Sequence, residues 1–153
     1  MNTPRGTKPA RQDEASDEPR WPSHFPENCP PLRATAASGV VYRFVERDPP
    51  TTEDSRSLYE TRPAQNFRGK RCQASGLSVF RDPHDLERLR RRVRAYKTSL
   101  VASASLANVH GLLLPTPTRD GSSHHTWWVP LGVLAASVFH VVSAIDERLK
   151  EEL

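Results

Sequence analysis

Five short segments of the sequence have the pattern of β-strands, either β-branched, aromatic and apolar runs or alternation of apolar and polar residues, and only one longer stretch has the spacing of an amphipathic helix. Alternation of this kind is typical of strands with one buried face. Irregular loops separate most of these segments, which argues against a doubly wound fold. The pattern predicts an α+β domain with a mostly antiparallel sheet of about five strands. The segments are residues 39–45, 74–80, 99–106, 124–129 and 138–142.

The helix signals lie between residues 82 and 96. Asp82 is a preferred N-cap residue, Pro83 suits the first helical position, and Asp85 follows in the first turn. An apolar stripe then recurs at helical spacing. The same stretch is rich in arginine, which we interpret as a solvated face, because it lacks the interleaved aromatic residues that stack nucleic-acid bases. The stripe consists of Leu86, Leu89, Val93 and Tyr96.

The first part of the chain has a different composition. Seven of the 14 prolines fall within residues 1–38, where acidic and basic residues balance and no apolar period is visible. Such a segment buries too little apolar surface to offset the entropy lost on ordering. The sequence therefore predicts a disordered, Pro-rich and charged tail over residues 1–37, followed by a single domain over residues 38–153.

Two cysteines, Cys29 and Cys72, are too few for a disulfide framework. The chain does not start with an apolar leader, so we expect a cytoplasmic protein whose two cysteines are free thiols. The alternative to two free thiols is a metal site built from these cysteines and histidines. No Cys-x-x-Cys pair supports it, and we predict no metal.

The end of the sequence allows three interpretations. Residues 131–145 fit a helix by spacing, whereas residues 138–142 fit a buried strand equally well. Ser143 and Asp146 resemble a helix-capping pair, which favours a strand followed by a short C-terminal helix over residues 144–153. Residues 127–145 also contain no Lys, Arg, Asp or Glu, so a C-terminal membrane anchor is a further alternative.

Four residues are candidates for a ligand site. Arg43 shares a strand face with two valines, where it either reaches solvent or lies in a cleft for an anionic ligand. Ser78 lies on a strand of small residues that would let a ligand approach closely. His125 and Trp127 share one face of their strand, while His124, Thr126 and Trp128 share the other. The sequence does not indicate which face is buried, and it assigns no catalytic residue.

The order of these features resembles ADP-ribosyltransferases of the Arg–Ser–Glu type. The resemblance implies that Arg43 on a first strand and Ser78, or Ser75, on a second strand hold NAD. The family's glutamate, which orients the ribose and activates the acceptor, is not matched, because His124, His125 and Thr126 occupy that region. An NAD- or nucleotide-dependent transferase, active or degenerate, is therefore one alternative function.

The function favoured by the sequence is a small binding or regulatory module with an anion- or nucleotide-binding cleft. This choice depends on the lack of a complete catalytic set, since the sequence contains no phosphate-binding glycine loop and no nucleophile elbow. The module itself requires no cofactor, and NAD is the cofactor of the transferase alternative. We expect a protein partner or a small anionic ligand, rather than nucleic acid or a membrane.

Overall fold

A computed structural model describes residues 19–119 and 121–142 of the chain. Its central element is a sheet of seven strands in the order β1-β5-β6-β3-β2-β4-β7, in which every neighbouring pair is antiparallel. The prediction of an α+β fold with a mostly antiparallel sheet is confirmed. The strands are β1 Thr35–Ala36, β2 Gly39–Val45, β3 Leu77–Phe80, β4 Leu100–Leu106, β5 Leu112–Pro115, β6 His124–Trp128 and β7 His140–Val141.

The number of strands is larger than the five predicted. The two strands that were not predicted are β1 and β5, and β1 contains only two residues, which is too short to produce a visible alternation. The strand predicted over residues 138–142 is present but shorter, as β7 over His140–Val141. The apolar run of β5 ends at Pro115, and its sequence is as compatible with a loop as with a strand. The strand predicted over residues 74–80 begins only at Leu77, because the residues before it form a helical turn.

Four helices accompany the sheet in the described residues: α1 Leu58–Thr61, α2 Arg71–Ser75, α3 Pro83–Arg92 and α4 Ala135–Val138. The predicted start of α3 is confirmed, since the Asp82 side chain accepts a hydrogen bond from the His84 backbone N–H and Pro83 takes the first helical position. The predicted stripe continues past the helix end into a 3₁₀ turn, Arg94–Tyr96. Two more 3₁₀ turns cover Thr52–Ser55 and Asn108–His110.

Both faces of the sheet are covered. On one face, α4 and Phe139 pack over a core that includes Val41, Val79 and Trp127. On the other face, Leu86 and Leu89 of α3 pack against Phe80 and Val101, and a third cluster gathers around Trp128. Covering both faces buries both neighbouring tryptophans, at 0% and 1% exposure. The indole N–H groups donate to backbone carbonyls, Trp127 to His110 and Trp128 to Cys72, both at 2.8 Å.

The packed part of the chain begins before residue 38, where the sequence places the start of the domain. Residues 35 and 36 pair with β5, and the Ala37 backbone N–H donates to Gly111 at 2.8 Å. Trp21 and Phe25 pack against the cluster around Trp128. The composition of the segment does not reveal this packing, because the segment contains few apolar residues. Those residues are buried by contacts with parts of the chain that are distant in the sequence. The rest of the predicted tail, residues 1–18, lies outside the described residues.

Cys29 and Cys72 form a disulfide with an S–S distance of 2.06 Å. The prediction of two free thiols is therefore wrong, because folding brings together two residues that lie 43 positions apart in the sequence. Disulfides are typical of oxidising compartments, so the structure offers no support for the predicted cytoplasmic location.

The apolar run near the C-terminus does not form one long element. From residue 127 to residue 142 it contains the end of β6, a loop, the single turn of α4 and the short strand β7. None of the helices within the described residues has the length and apolarity to cross a bilayer. The predicted helix over residues 144–153 falls on residues that the structure does not describe.

Candidate functional site

The sheet is split between β2 and β3. These two strands pair only through Tyr42 and Phe80, whereas β2 pairs with β4 along its whole length from Gly39 to Val45. Beyond the single pair, the backbone carbonyls that face the gap need donors from elsewhere. The split opens a space beside Ser78, which lies two residues before Phe80 on β3.

Arg43 fills the gap with its guanidinium. It donates from Nη1 to the Ser78 carbonyl at 2.8 Å and from Nε to the Asp54 carbonyl at 3.1 Å. A third bond runs from Nη2 to the Arg56 carbonyl at 3.3 Å. Burial lowers the pKa of the guanidinium from its ordinary value, and the nearby Tyr96 and Asp54 oppose that effect. Arg43 therefore joins the split sheet to the Thr52–Ser55 turn.

A first cavity, here called the aromatic cavity, lies between the sheet and α3. Its volume is about 270 Å³. It brings together Arg43 and Ser78, two of the residues predicted from the sequence. The full lining is Arg43, Phe44, Ser78, Phe80, Leu86, Leu89, Tyr96, Thr118 and His124.

A second cavity, here called the basic cavity, has a volume of about 310 Å³. Ser78 lines both cavities, and together we call them the groove. The basic cavity contains two cations, Arg68 and Lys70, with side-chain amides beside them. Its lining is Leu58, Gln65, Asn66, Phe67, Arg68, Lys70, Gln73, Ala74, Gly76 and Ser78.

The other two predicted residues lie away from the groove. Trp127 is fully buried in the opposite core, where it contacts Phe139 edge to face at 5.8 Å. His125 is half-buried, and its Nδ1 lies 2.7 Å from the Ser123 carbonyl. Alternation along β6 therefore directs His124, rather than His125, to the aromatic cavity. The strand pattern identified both faces, but it contained no signal for choosing between them.

His124 is fixed in the wall of the aromatic cavity. Its Nδ1 lies 2.8 Å from the Thr116 carbonyl and 2.9 Å from the Thr116 hydroxyl. The imidazole also meets the Phe80 ring edge to face, with the centroids 5.1 Å apart. These contacts restrict the ring to one orientation, so it forms a rigid part of the wall.

Asp85 joins α3 to the loop that enters β6. The buried carboxylate accepts hydrogen bonds from the Ser123 backbone N–H at 3.0 Å and hydroxyl at 2.6 Å, and it pairs with Arg88. Burial by itself would raise the pKa of this carboxyl, but the bonds from Ser123 and Arg88 outweigh burial and lower it. Gly121 permits the approach, since a Cβ there would lie 2.8 Å from the carboxylate.

Several groove residues were not predicted from the sequence, above all Arg68, Lys70, Tyr96 and His124. The two cations lie in a stretch that reads as an irregular charged loop, and only the fold assembles them beside Ser78. Within the described ranges, no group of three or more His, Cys, Asp or Glu residues is arranged to hold a metal ion. Comparison of the chain with protein-family models, curated proteins and solved structures finds no match.

Proposed function

We propose that this protein is a binding module that takes an elongated anionic ligand of the nucleotide class in the groove. The observation that carries the proposal is the position of Ser78 between two cavities of unlike chemistry. One cavity has an aromatic wall suited to a planar base, and the other has two cations suited to phosphate. A nucleotide combines both chemistries in one molecule.

The aromatic cavity offers flat surfaces that are already held in place. The Phe44 and Tyr96 rings stack with their centroids 4.6 Å apart, and the Arg90 guanidinium lies 5.2 Å from the centre of the Phe44 ring. Stacking on such rings favours any planar heterocycle. Because these rings are already packed against their neighbours, little side-chain entropy would be lost when a ligand binds.

The positive charge for phosphate comes from Arg68 and Lys70. Neither side chain has a carboxylate within ion-pair distance among the described residues. The Arg68 backbone is itself held, since its N–H donates to the Asn66 side chain at 2.9 Å. Arg43 adds charge at the inner end of the groove, but its donors already serve three backbone carbonyls. The phosphate role therefore belongs to the two cations of the basic cavity.

The proposal is tested by thermal melts of the full chain with and without millimolar ADP or NAD. A ligand present at about 100 times its dissociation constant stabilises the native state by about 2.7 kcal/mol, which raises the melting temperature by several degrees. We expect this increase for the wild type. The double variant Arg68→Gln/Lys70→Gln should lose most of it, because the phosphate contacts are removed.

The matched control is Arg91→Gln/Arg94→Gln, which removes the same charge from exposed positions outside the groove. It should keep the full increase in melting temperature. Nucleotide binding is the wrong proposal if neither ADP nor NAD stabilises a wild-type protein that melts cooperatively. An equal loss in both double variants would indicate attraction to overall charge instead of a site.

A second proposal is an NAD-dependent transferase, active or degenerate. It is favoured by one observation, that Arg43 and Ser78, the two positions matched in ADP-ribosyltransferases, line the same cavity. Neither cavity of the groove has an Asp or Glu among its described lining residues, so His124 is the group there suited to proton transfer. Release of nicotinamide from NAD would favour the transferase. Stabilisation by NAD without nicotinamide release would favour the binding module.

A further inference from the structure

The connection between α1 and α2 carries a strong excess of positive charge. From Thr61 to Arg81 the sequence contains no Asp or Glu. Four cations lie between α1 and Cys72, and all four are exposed. Two of them also line the basic cavity. We call these four residues the basic surface, and they are Arg62, Arg68, Lys70 and Arg71.

The basic surface has no acidic partner in the described part of the chain. None of the ion pairs there includes one of its four cations. The carboxylate of Glu60, the nearest acid in the sequence, accepts from the Ser57 backbone N–H at 2.9 Å as part of a helix cap. Arg71 donates to the His24 carbonyl at 3.0 Å and lies over the Tyr59 ring at 4.7 Å. The surface therefore keeps a net positive charge that attracts an anionic segment.

A stretch of opposite charge precedes the described N-terminal segment in the sequence. Residues 12–19 contain four acidic residues and no Lys or Arg. Four negative charges on this stretch match the four positive charges of the basic surface. We call residues 13–18 the acidic stretch, and its acids are Asp13, Glu14, Asp17 and Glu18.

The fold anchors the chain next to the basic surface just where the acidic stretch ends. Trp21 and Cys72 pack against the same apolar cluster, and the Cys29–Cys72 disulfide joins the N-terminal segment to α2. Pro19 lies two residues before Trp21, and Lys70 lies two residues before Cys72. Six extended residues span about 20 Å, so the acidic stretch can reach the basic surface from this anchor.

The arginine-rich end of α3 is a second cationic surface, but the anchor favours the first. Leu86 and Leu89 of α3 pack in the separate cluster that contains Phe80 and Val101. A short tether gives a binding segment an effective concentration in the millimolar range at the surface beside it. Exposed ion pairs are individually weak, so the contact depends on this tether and on several pairs acting together.

We propose that the acidic stretch binds the basic surface of its own molecule and covers the basic cavity. The contact consists of exposed ion pairs, so salt weakens it. Arg68 and Lys70 belong to both the surface and the cavity, so the stretch competes there with a phosphate group. This competition rests on the proposed nucleotide function, whereas the contact itself does not.

The contact is tested by carbodiimide cross-linking of the dilute full chain, which joins a carboxylate to a lysine amine that it touches. The described residues contain two lysines, Lys70 on the basic surface and Lys97 beyond α3. Links from the acidic stretch to Lys70, located by mass spectrometry, should be at least about five times as abundant as links to Lys97, because the tether sets the local concentration. Most should disappear in 1 M salt, where the Debye length is about 3 Å.

Two variants that keep both lysines separate a defined contact from general attraction. Arg62→Gln/Arg68→Gln should reduce the Lys70 links by about half or more, since two of the attracting charges are gone. The matched control Arg91→Gln/Arg94→Gln removes the same charge from exposed positions at the end of α3 and should leave these links unchanged. The contact is overturned if Lys70 is not linked or is linked no more than Lys97, if the two double variants behave alike, or if the links join two molecules.

The competition with phosphate is measured by the dissociation constant of ADP. A variant with all four carboxylates of the acidic stretch changed to amides should bind ADP about threefold more tightly or better, because the apparent affinity rises with the fraction of molecules whose site is free. A control that changes the four acids of residues 146–152 should bind like the wild type. The variants are Asp13→Asn/Glu14→Gln/Asp17→Asn/Glu18→Gln and Asp146→Asn/Glu147→Gln/Glu151→Gln/Glu152→Gln.

The two measurements fail separately. Equal ADP affinity in these two variants would overturn the competition, and the cross-links would still decide the contact. If the wild type and both variants bind no ADP, the nucleotide proposal fails and the competition fails with it. Preferential, salt-sensitive links to Lys70 would establish the contact in that case as well.

Discussion

At the scale of single residues, Arg43 shows how one side chain takes the place of missing sheet pairing. Its three bonds to the Ser78, Asp54 and Arg56 carbonyls span the gap between two strands and a turn. A guanidinium is suited to this role because it carries five donors in a fixed plane and keeps its charge when it is buried. Arg43, which the sequence suggested as an anion-binding residue, therefore has a structural role in the fold.

Arg43→Ala should lower the free energy of unfolding by about 2–4 kcal/mol, because three carbonyls lose a donor and a buried space is left behind. Arg43→Lys should recover only part of the loss, since one ammonium cannot span three acceptors. Denaturant unfolding measures both. Arg91→Ala, at an exposed position, is the control and should stay within about 0.5 kcal/mol of the wild type. A wild-type-like Arg43→Ala would contradict the bracing role.

At the scale of elements, the N-terminal segment from residue 19 to residue 37 is joined to α2 by the Cys29–Cys72 disulfide. Non-covalent attachments include the two-residue strand β1, the Trp21 and Phe25 contacts, the stack of His24 on Tyr59 and the bond from the Leu131 N–H to the Arg20 carbonyl at 2.8 Å. The disulfide adds a covalent link between this segment and the rest of the domain.

Reduction of the disulfide should therefore lower the melting temperature by about 4–16 °C, corresponding to about 2–4 kcal/mol for a cross-link that closes a long loop. Melts of the full chain with and without dithiothreitol give this difference. The Cys29→Ser/Cys72→Ser variant should melt at the lower temperature under both conditions. Two alkylatable thiols in protein purified without reductant would show that the link does not form.

At the scale of the whole molecule, two buried carboxylates hold loops to the sheet and make stability depend on pH. Hydrogen bonds from Thr51 and Glu46 lower the pKa of Asp54 against the opposing effect of burial, and Ser123 does the same for Asp85. A lowered native pKa means that the unfolded chain binds more protons in acid. The stabilisation is therefore present above the ordinary pKa of an aspartate, about 4, and is lost as the pH falls through the native values.

We expect the free energy of unfolding to fall between pH 5 and pH 3, about the range over which such aspartates titrate. Denaturant unfolding at several pH values measures this slope. Asp54→Asn and Asp85→Asn should be less stable than the wild type at pH 7 and should show a flatter slope in acid. If the free energy of unfolding of both variants fell with pH in acid as steeply as that of the wild type, other groups would cause the pH dependence.

The sequence by itself determined the features that depend on neighbours along the chain. The β-branched and aromatic run of residues 39–45 predicted the bounds of β2, and the Asp82-Pro83 pair predicted the start of α3, because strand composition and helix capping involve residues only a few positions apart. Tertiary structure alone decided the strand order, the Cys29–Cys72 pairing and the assembly of Arg68 and Lys70 beside Ser78. It also decided that β6 directs His124 to the groove, since the alternation of a strand is symmetric and only the layers packed on each side distinguish its two faces.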